Sequence, residues 1–151
     1  MNQTLLVSEL TRDEGCRYWV YDDATGFLLR PGSSTKGHPT IGIGRALDVR
    51  GISPDEAQML LANDIASFTL GLQQQYTWFN NLDDVRQRVL VNMAFNLGLG
   101  GIKTFPEMLR SIGARDYAGA AREMRKSAWY REVGDRGVRL AHAMDTGVMP
   151  L

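Results

Sequence analysis

From Ser53 to Gln75 the chain carries one unbroken helical pattern, and this stretch limits the fold more than any other. Ser53 is a suitable N-cap, Pro54 suits the first helical position, and Glu56 can reach back to Ser53 to close a capping box. Ala57, Leu60, Leu61, Asp64, Ile65, Phe68 and Leu72 then recur at three- and four-residue spacing. A helix of about 22 residues would run roughly 33 Å at 1.5 Å per residue. That is long enough to join two lobes across a cleft.

The two sides of this helix differ in pattern. Before it, Gln3 to Asp13 predicts a first helix with Leu5, Leu6, Val7 and Leu10 buried, and Glu14-Gly15 closes it. Arg17 to Tyr21 and Gly26 to Arg30 alternate like the strands of a hairpin, and Thr40 to Gly44 reads as a third strand. The Pro, Gly and Ser cluster over residues 31–39 is a loop, expected to be inert decoration rather than a flap. After the long helix comes a packed corner at Tyr76 to Phe79. A helix from Leu82 to Leu97 follows, with Val85, Val89, Leu90, Met93, Ala94 and Leu97 apolar and Gly98 to Gly101 ending it. Phe105 to Ile112, Asp116 to Lys126 and Arg136 to Asp145 complete a bundle, with Gly113 and Gly147 as stops. The expected fold class is α+β, mostly α, in one domain over 1–151. Its small N-terminal lobe, about 12–52, carries a three-stranded antiparallel sheet. The connecting helix covers about 53–75, and the C-terminal helical bundle, about 76–151, is joined by the N-terminal helix.

Composition removes several function classes. Hydrophobic residues make up 44% and charged residues 23%, ordinary proportions for a globular chain of 151 residues. Cys16 is the sole cysteine, so no intramolecular disulfide can form, and it is read as a packed thiol. His38 and His142 give no zinc or haem spacing, and neither a metal nor a cofactor is expected. Met1 to Leu10 lacks the marks of a signal peptide and no 18 apolar residues are consecutive. The chain is therefore expected in the cytoplasm where it is made, without membrane insertion. Residues 1–85 hold 6 basic and 11 acidic side chains, while 86–151 hold 11 basic and 6 acidic. A basic lobe beside an acidic one suits an anionic polymer. Arg110, Arg115, Arg122, Arg125 and Lys126 read mostly as a solvated helix face, and no nucleic-acid recognition motif accompanies them.

Glu14 and Asp23 are the residues with chemical potential. Glycoside hydrolysis needs one protonated carboxyl and one ionised carboxylate on opposite sides of the scissile bond. Burial of Glu14 at a helix end would raise its pKa, as a general acid needs, while a wet turn would keep Asp23 ionised. Spacing alone is equally met by a solvated helix face and a turn that caps its own backbone. His38, between Gly37 and Pro39, reads as having no catalytic part.

The wording around these acids decides between those readings. Glu14-Gly15, Tyr21-Asp22-Asp23, Gly26 and Thr40-Ile41-Gly42-Ile43-Gly44 follow one another in order, and Ser127-Ala128-Trp129-Tyr130 stands in the helical half. This resembles the phage lysozyme (endolysin) family of the T4 type, glycoside hydrolase family 24, over most of the chain to about Thr146-Gly147. The resemblance implies a lysozyme-like fold with an active-site cleft between the lobes. It implies Glu14 as general acid, Asp23 as the base that positions water, and Thr40 as a hydroxyl holding that water. Phe95 and Asn96 match residues lining the cleft floor, with Phe95 equally readable as core, and Gly44 lets backbone approach the sugar. Arg136 is expected against Glu14 and Arg139 against Asp13. Arg45 stands where T4-type relatives carry a histidine, and is expected to keep a carboxylate partner without a histidine's pH sensitivity. Trp129 reads as a core anchor. The extra length at 31–39 departs from the shortest family pattern.

The implied substrate is the peptidoglycan glycan strand, cut at the β-1,4 bond between N-acetylmuramic acid and N-acetylglucosamine. The implied setting is the periplasm, reached through a separate holin, with the chain a monomer. Inversion is expected if Asp23 serves a water. Two other readings stay open: a lytic transglycosylase, which needs Glu14 alone, and an inactive peptidoglycan-binding domain.

Overall fold

The computed structural model describes residues 1–150, and the chain divides into two units, Met1–Gln58 and Met59–Leu151. The first unit begins where Asn2 accepts the Leu5 N–H at 3.1 Å and so caps helix α1, Gln3–Glu14. Gly15, at φ 68°, ends that helix and turns the chain into strand β1, Arg17–Asp22. Strand β2, Pro39–Gly42, lies antiparallel to β1, with Tyr21 opposite Thr40 and Asp22 opposite Pro39. Strand β3, Arg45–Ala46, returns beside β2, so the sheet order is β1-β2-β3. A single helical turn, α2 (Leu47–Arg50), follows directly.

Three expectations for this unit need correction. The expected strand from Gly26 to Arg30 is only an isolated bridge, Tyr21 to Leu28, flanked by hydrogen bonds from Asp22 N to Phe27 O and from Leu29 N to Val20 O, both 2.9 Å. Ser33 truncates it, because its hydroxyl takes the Arg30 N–H and its own N–H bonds back to Arg30 O, pulling the chain into a turn. The third strand is Arg45–Ala46 instead. The expected burial of Leu5, Leu6, Val7 and Leu10 also fails, since α1 contains no buried residue and no element of its own unit packs broadly against it. Cys16, expected as a packed thiol, is exposed.

Helix α3, Pro54–Gln75, has the expected length, and its capping box is built as read. Ser53 N–H donates to Glu56 Oε2 at 2.7 Å and Glu56 N–H donates to Ser53 Oγ at 3.2 Å.

The second unit is a helical bundle around helix α4, Asp84–Ile102. Val89, Leu90, Met93 and Ala94 on α4 are fully buried. Gly98, at φ 74°, breaks the helix as expected, but one more turn follows because Ile102 is drawn back into the core. Around α4 lie α5 (Pro106–Gly113), α6 (Tyr117–Lys126), the short α7 (Ala128–Glu132) and α8 (Asp135–Thr146). Helices α6 and α8 approach closely because small residues, Gly119, Ala120, Ala121, Gly137 and Ala141, face the packed interior. A Cβ on Gly137 would come within 2.9 Å of Tyr130 O, so that position tolerates no larger residue without a shift. Arg86 ties α4 to the end of α8, donating to the carbonyls of Met144 (2.8 Å) and Asp145 (2.9 Å) while stacking over Tyr117. Gly147, in the left-handed conformation, completes that cap.

Candidate active site

Glu14 is the last residue of α1, and its side chain lies over Gly44 in the turn between β2 and β3. Gly44 has φ +66°, and a Cβ there would sit 2.8 Å from Glu14 Oε2. The glycine therefore leaves room for a carboxylate as well as permitting the turn. Glu14 itself is exposed, contrary to the expected burial, at the end of a helix that contains no buried residue.

The acidic pair after β1 divides its labour. Asp22 is buried and fully engaged: Oδ1 accepts from Ala24 N and Gly37 N, both at 3.0 Å, and Oδ2 accepts from Lys36 N at 2.8 Å. These donors, the Lys36 N–H foremost, hold its carboxyl below the usual carboxylate range against the opposing effect of burial. Asp23 is exposed and is pinned by one oxygen only, with Oδ1 accepting from His38 N at 2.7 Å. Its own N–H donates to His38 O at 3.1 Å, and a Cβ on Gly37 would collide with Oδ1. Thr40 is buried, with its hydroxyl donating to the same His38 O at 3.1 Å. The backbone of one residue, His38, thus holds both Asp23 and Thr40.

The loop 31–39, expected to be inert, supplies these donors. Lys36, Gly37 and His38 all point backbone N–H groups at the Asp22-Asp23 pair. The His38 imidazole bonds through Nδ1 to both oxygens of Asp48, at 3.0 and 3.2 Å. That bond, with the charge of Asp48 behind it, raises the imidazole pKa. Sequence reasoning missed Asp22, His38 and Asp48. No local signal marked them, because the donors to Asp22 lie 14 and 15 residues further on and Tyr18, in the same phase of β1, is exposed.

Arg45 has a carboxylate partner, as expected. Its guanidinium donates to Glu56 Oε2 at 3.0 Å and to Gly51 O at 3.1 Å. Glu56 is held below its ordinary pKa, chiefly by the Ser53 N–H and further by the Arg45 charge.

The remaining residues of interest lie in the second unit. Phe95 is 44% exposed and meets Phe68 edge to face at 5.9 Å, so it is not a core side chain. With Leu61, Ile65, Asn92 and Arg136 it lines a groove of about 590 Å³. Asn96 accepts a 2.8 Å hydrogen bond from the Trp129 indole N–H, and Trp129 is buried, as its reading as a core anchor requires. Arg136 donates to Asn92 through Nε (to Oδ1, 2.8 Å) and a terminal nitrogen (to the carbonyl, 2.9 Å). Arg139 is exposed on α8, and in the first unit Asp13 is paired with Arg12 at 2.8 Å. Among the described residues no group of three or more His, Cys, Asp or Glu is arranged to hold a metal, and no helix is long and apolar enough to cross a membrane.

This chain is similar to Probable T4-type lysozyme 1 and Probable T4-type lysozyme 2 of Dictyostelium discoideum. Each is 29% identical over 101 residues, which is 65% of this chain and 59% of the relative. It is also similar to the Pre-baseplate central spike protein Gp5 of Enterobacteria phage T4, at 29% identity over 91% of this chain and 27% of that protein. The chain therefore matches less than two thirds of the length of each of these relatives. The profile of the family described as Phage lysozyme matches residues 11–141, and the chain belongs to that family.

Proposed function

We propose that this chain is a muramidase of the endolysin kind. It hydrolyses the β-1,4 bond between N-acetylmuramic acid and N-acetylglucosamine in bacterial peptidoglycan to lyse a host cell. Glu14 protonates the leaving oxygen, and Asp23 takes a proton from the attacking water. The observation that carries this reading is the shared anchoring of Asp23 and Thr40 on the His38 backbone, with Glu14 seated over Gly44 of the same sheet. Asp23 Oδ1 is committed to a backbone N–H, which leaves Oδ2 to meet a water. The Thr40 hydroxyl donates its hydrogen bond to the His38 carbonyl, so toward that water it acts as an acceptor.

The other assigned residues extend this reading. Phe95 and Asn96 contact the glycan, Gly44 gives it close access to the backbone, and Arg45 fixes the start of α3 through Glu56. Arg136 and Arg139 are assigned as supporting residues, paired in role with Glu14 and Asp13. An Arg136→Ala variant with unchanged stability and activity would remove that pairing. Synthesis in the host cytoplasm, release through a separate holin, action in the periplasm and a monomeric state belong to the same proposal.

The test is mass spectrometry of muropeptides released from outer-membrane-permeabilised cells, for the wild type, Glu14→Gln and Asp23→Asn. Reducing-end products that vanish in both variants are expected. Anhydro-muramic products surviving Asp23→Asn would mean transglycosylation, and no product from folded wild type would leave a binding domain.

A further inference from the structure

The imidazole of His38 has no part in the proposed chemistry, yet its surroundings are built. The main chain of His38 makes three bonds to the site: its N–H donates to Asp23 Oδ1, and its carbonyl accepts from Asp23 N and from Thr40 Oγ1. Pro39 follows, which restricts the backbone of His38 to extended conformations. Gly37 precedes, where a side chain would collide with Asp23. The side chain anchors this backbone from the other direction, through Asp48 on α2, and α2 packs against β2.

We infer that His38 is a positioning residue, whose imidazole, tied to Asp48, holds the backbone that aims Asp23 and Thr40. This rests on the reading of Asp23 and Thr40 as catalytic. The charged groups facing the imidazole are Asp48, from α2, and Asp23, from the turn after β1. Both are acidic and both favour the imidazolium. The tie is therefore complete below the ordinary histidine value of about 6.5 and loosens as pH rises through the raised folded-state value. A neutral imidazole still donates from Nδ1, so the site is slackened rather than dismantled. Turnover is therefore expected to fall as pH rises through the His38 value.

The experiment has two arms on the full chain. In the first, NMR follows the His38 ring and the backbone amides of Asp23, His38 and Thr40 through a pH titration, in wild type and in Asp48→Asn. The amides of Asp23 and Thr40 are expected to move with the ring's midpoint, and that midpoint is expected to fall in Asp48→Asn. Amides that ignore the ring, or an unmoved midpoint, would overturn the inference. In the second, glycan cleavage is measured against pH. His38→Ala is expected to lose roughly tenfold in kcat at unchanged KM, less than the hundredfold that a 1 Å misplacement can cost. His38→Asn, which keeps a donor near the Nδ1 position, is expected to recover most of that rate without the His38 inflection. A His38→Ala profile superimposable on wild type would overturn the inference. The first arm needs no substrate. A chain that cleaves nothing while its amides follow His38 would therefore refute the hydrolase reading and support the tie.

Discussion

The interiors of the two units are stabilised by different physics. Every buried hydrophobic side chain of the described residues lies in the second unit, between Leu72 and Met144, whereas the first unit buries only Asp22 and Thr40. The helical unit excludes water around Leu90, Met93 and Met124, and its stability is chiefly that of apolar burial. The sheet unit has no such core, and a buried carboxylate with three backbone donors sets its loops instead. Such an arrangement places a polar site accurately and makes its integrity depend on pH.

The largest effect should come from the helical core. Leu90→Ala is expected to lose about 2–5 kcal/mol, the range for a buried leucine whose cavity closes incompletely. Urea unfolding followed by helical circular dichroism measures it, and a loss near zero would mean that α4 is not the centre of the core.

Acid should separate the units more sharply than any truncation. Because the Asp22 pKa is lowered on folding, its contribution is fully present above the ordinary carboxylate value of about 3.9 and is lost as pH falls through the folded value. Hydrogen exchange at Ala24, Lys36 and Gly37 should therefore accelerate in acid while the amides of α4 stay protected. Asp22→Asn should show fast exchange at the same amides already at neutral pH. Simultaneous loss of protection in both units would contradict the contrast.

A smaller change should stay inside the second unit. Asn96→Ala strands the buried Trp129 indole N–H and is expected to cost about 1 kcal/mol. The shift belongs in the helical transition, with exchange in the loop 31–39 unaltered.

These contrasts also separate what was legible in the sequence from what was not. Ser53 and Glu56 were legible because a capping box is closed by residues three apart. The bundle helices were legible for the same reason, through local spacing and stop glycines such as Gly147. Strand pairing was not. The alternation in Gly26 to Arg30 reports a capacity to pair, but Ser33 diverts that segment, and a two-residue strand at Arg45–Ala46 is too short to show a period. The apolar spacing of α1 states what can be buried, not what buries it. In the acidic doublet, Asp23 was singled out by its family wording. That Asp22 would be the buried one depends on donors 14 and 15 residues away. The contacts of His38 to Asp23 and Thr40 were not legible because they are made by its main-chain N–H and C=O, to which side-chain reasoning is blind.

The most direct test of Asp23 as a water-activating base is the anomeric configuration of the first product. Proton NMR can follow the newly released reducing end during the first minutes of cleavage of a soluble muropeptide oligomer, before mutarotation. A water delivered by Asp23 to the face opposite the leaving group requires inversion, so the α anomer should appear first. The β anomer appearing first would mean retention through a glycosyl-enzyme intermediate, and would contradict the role assigned to Asp23.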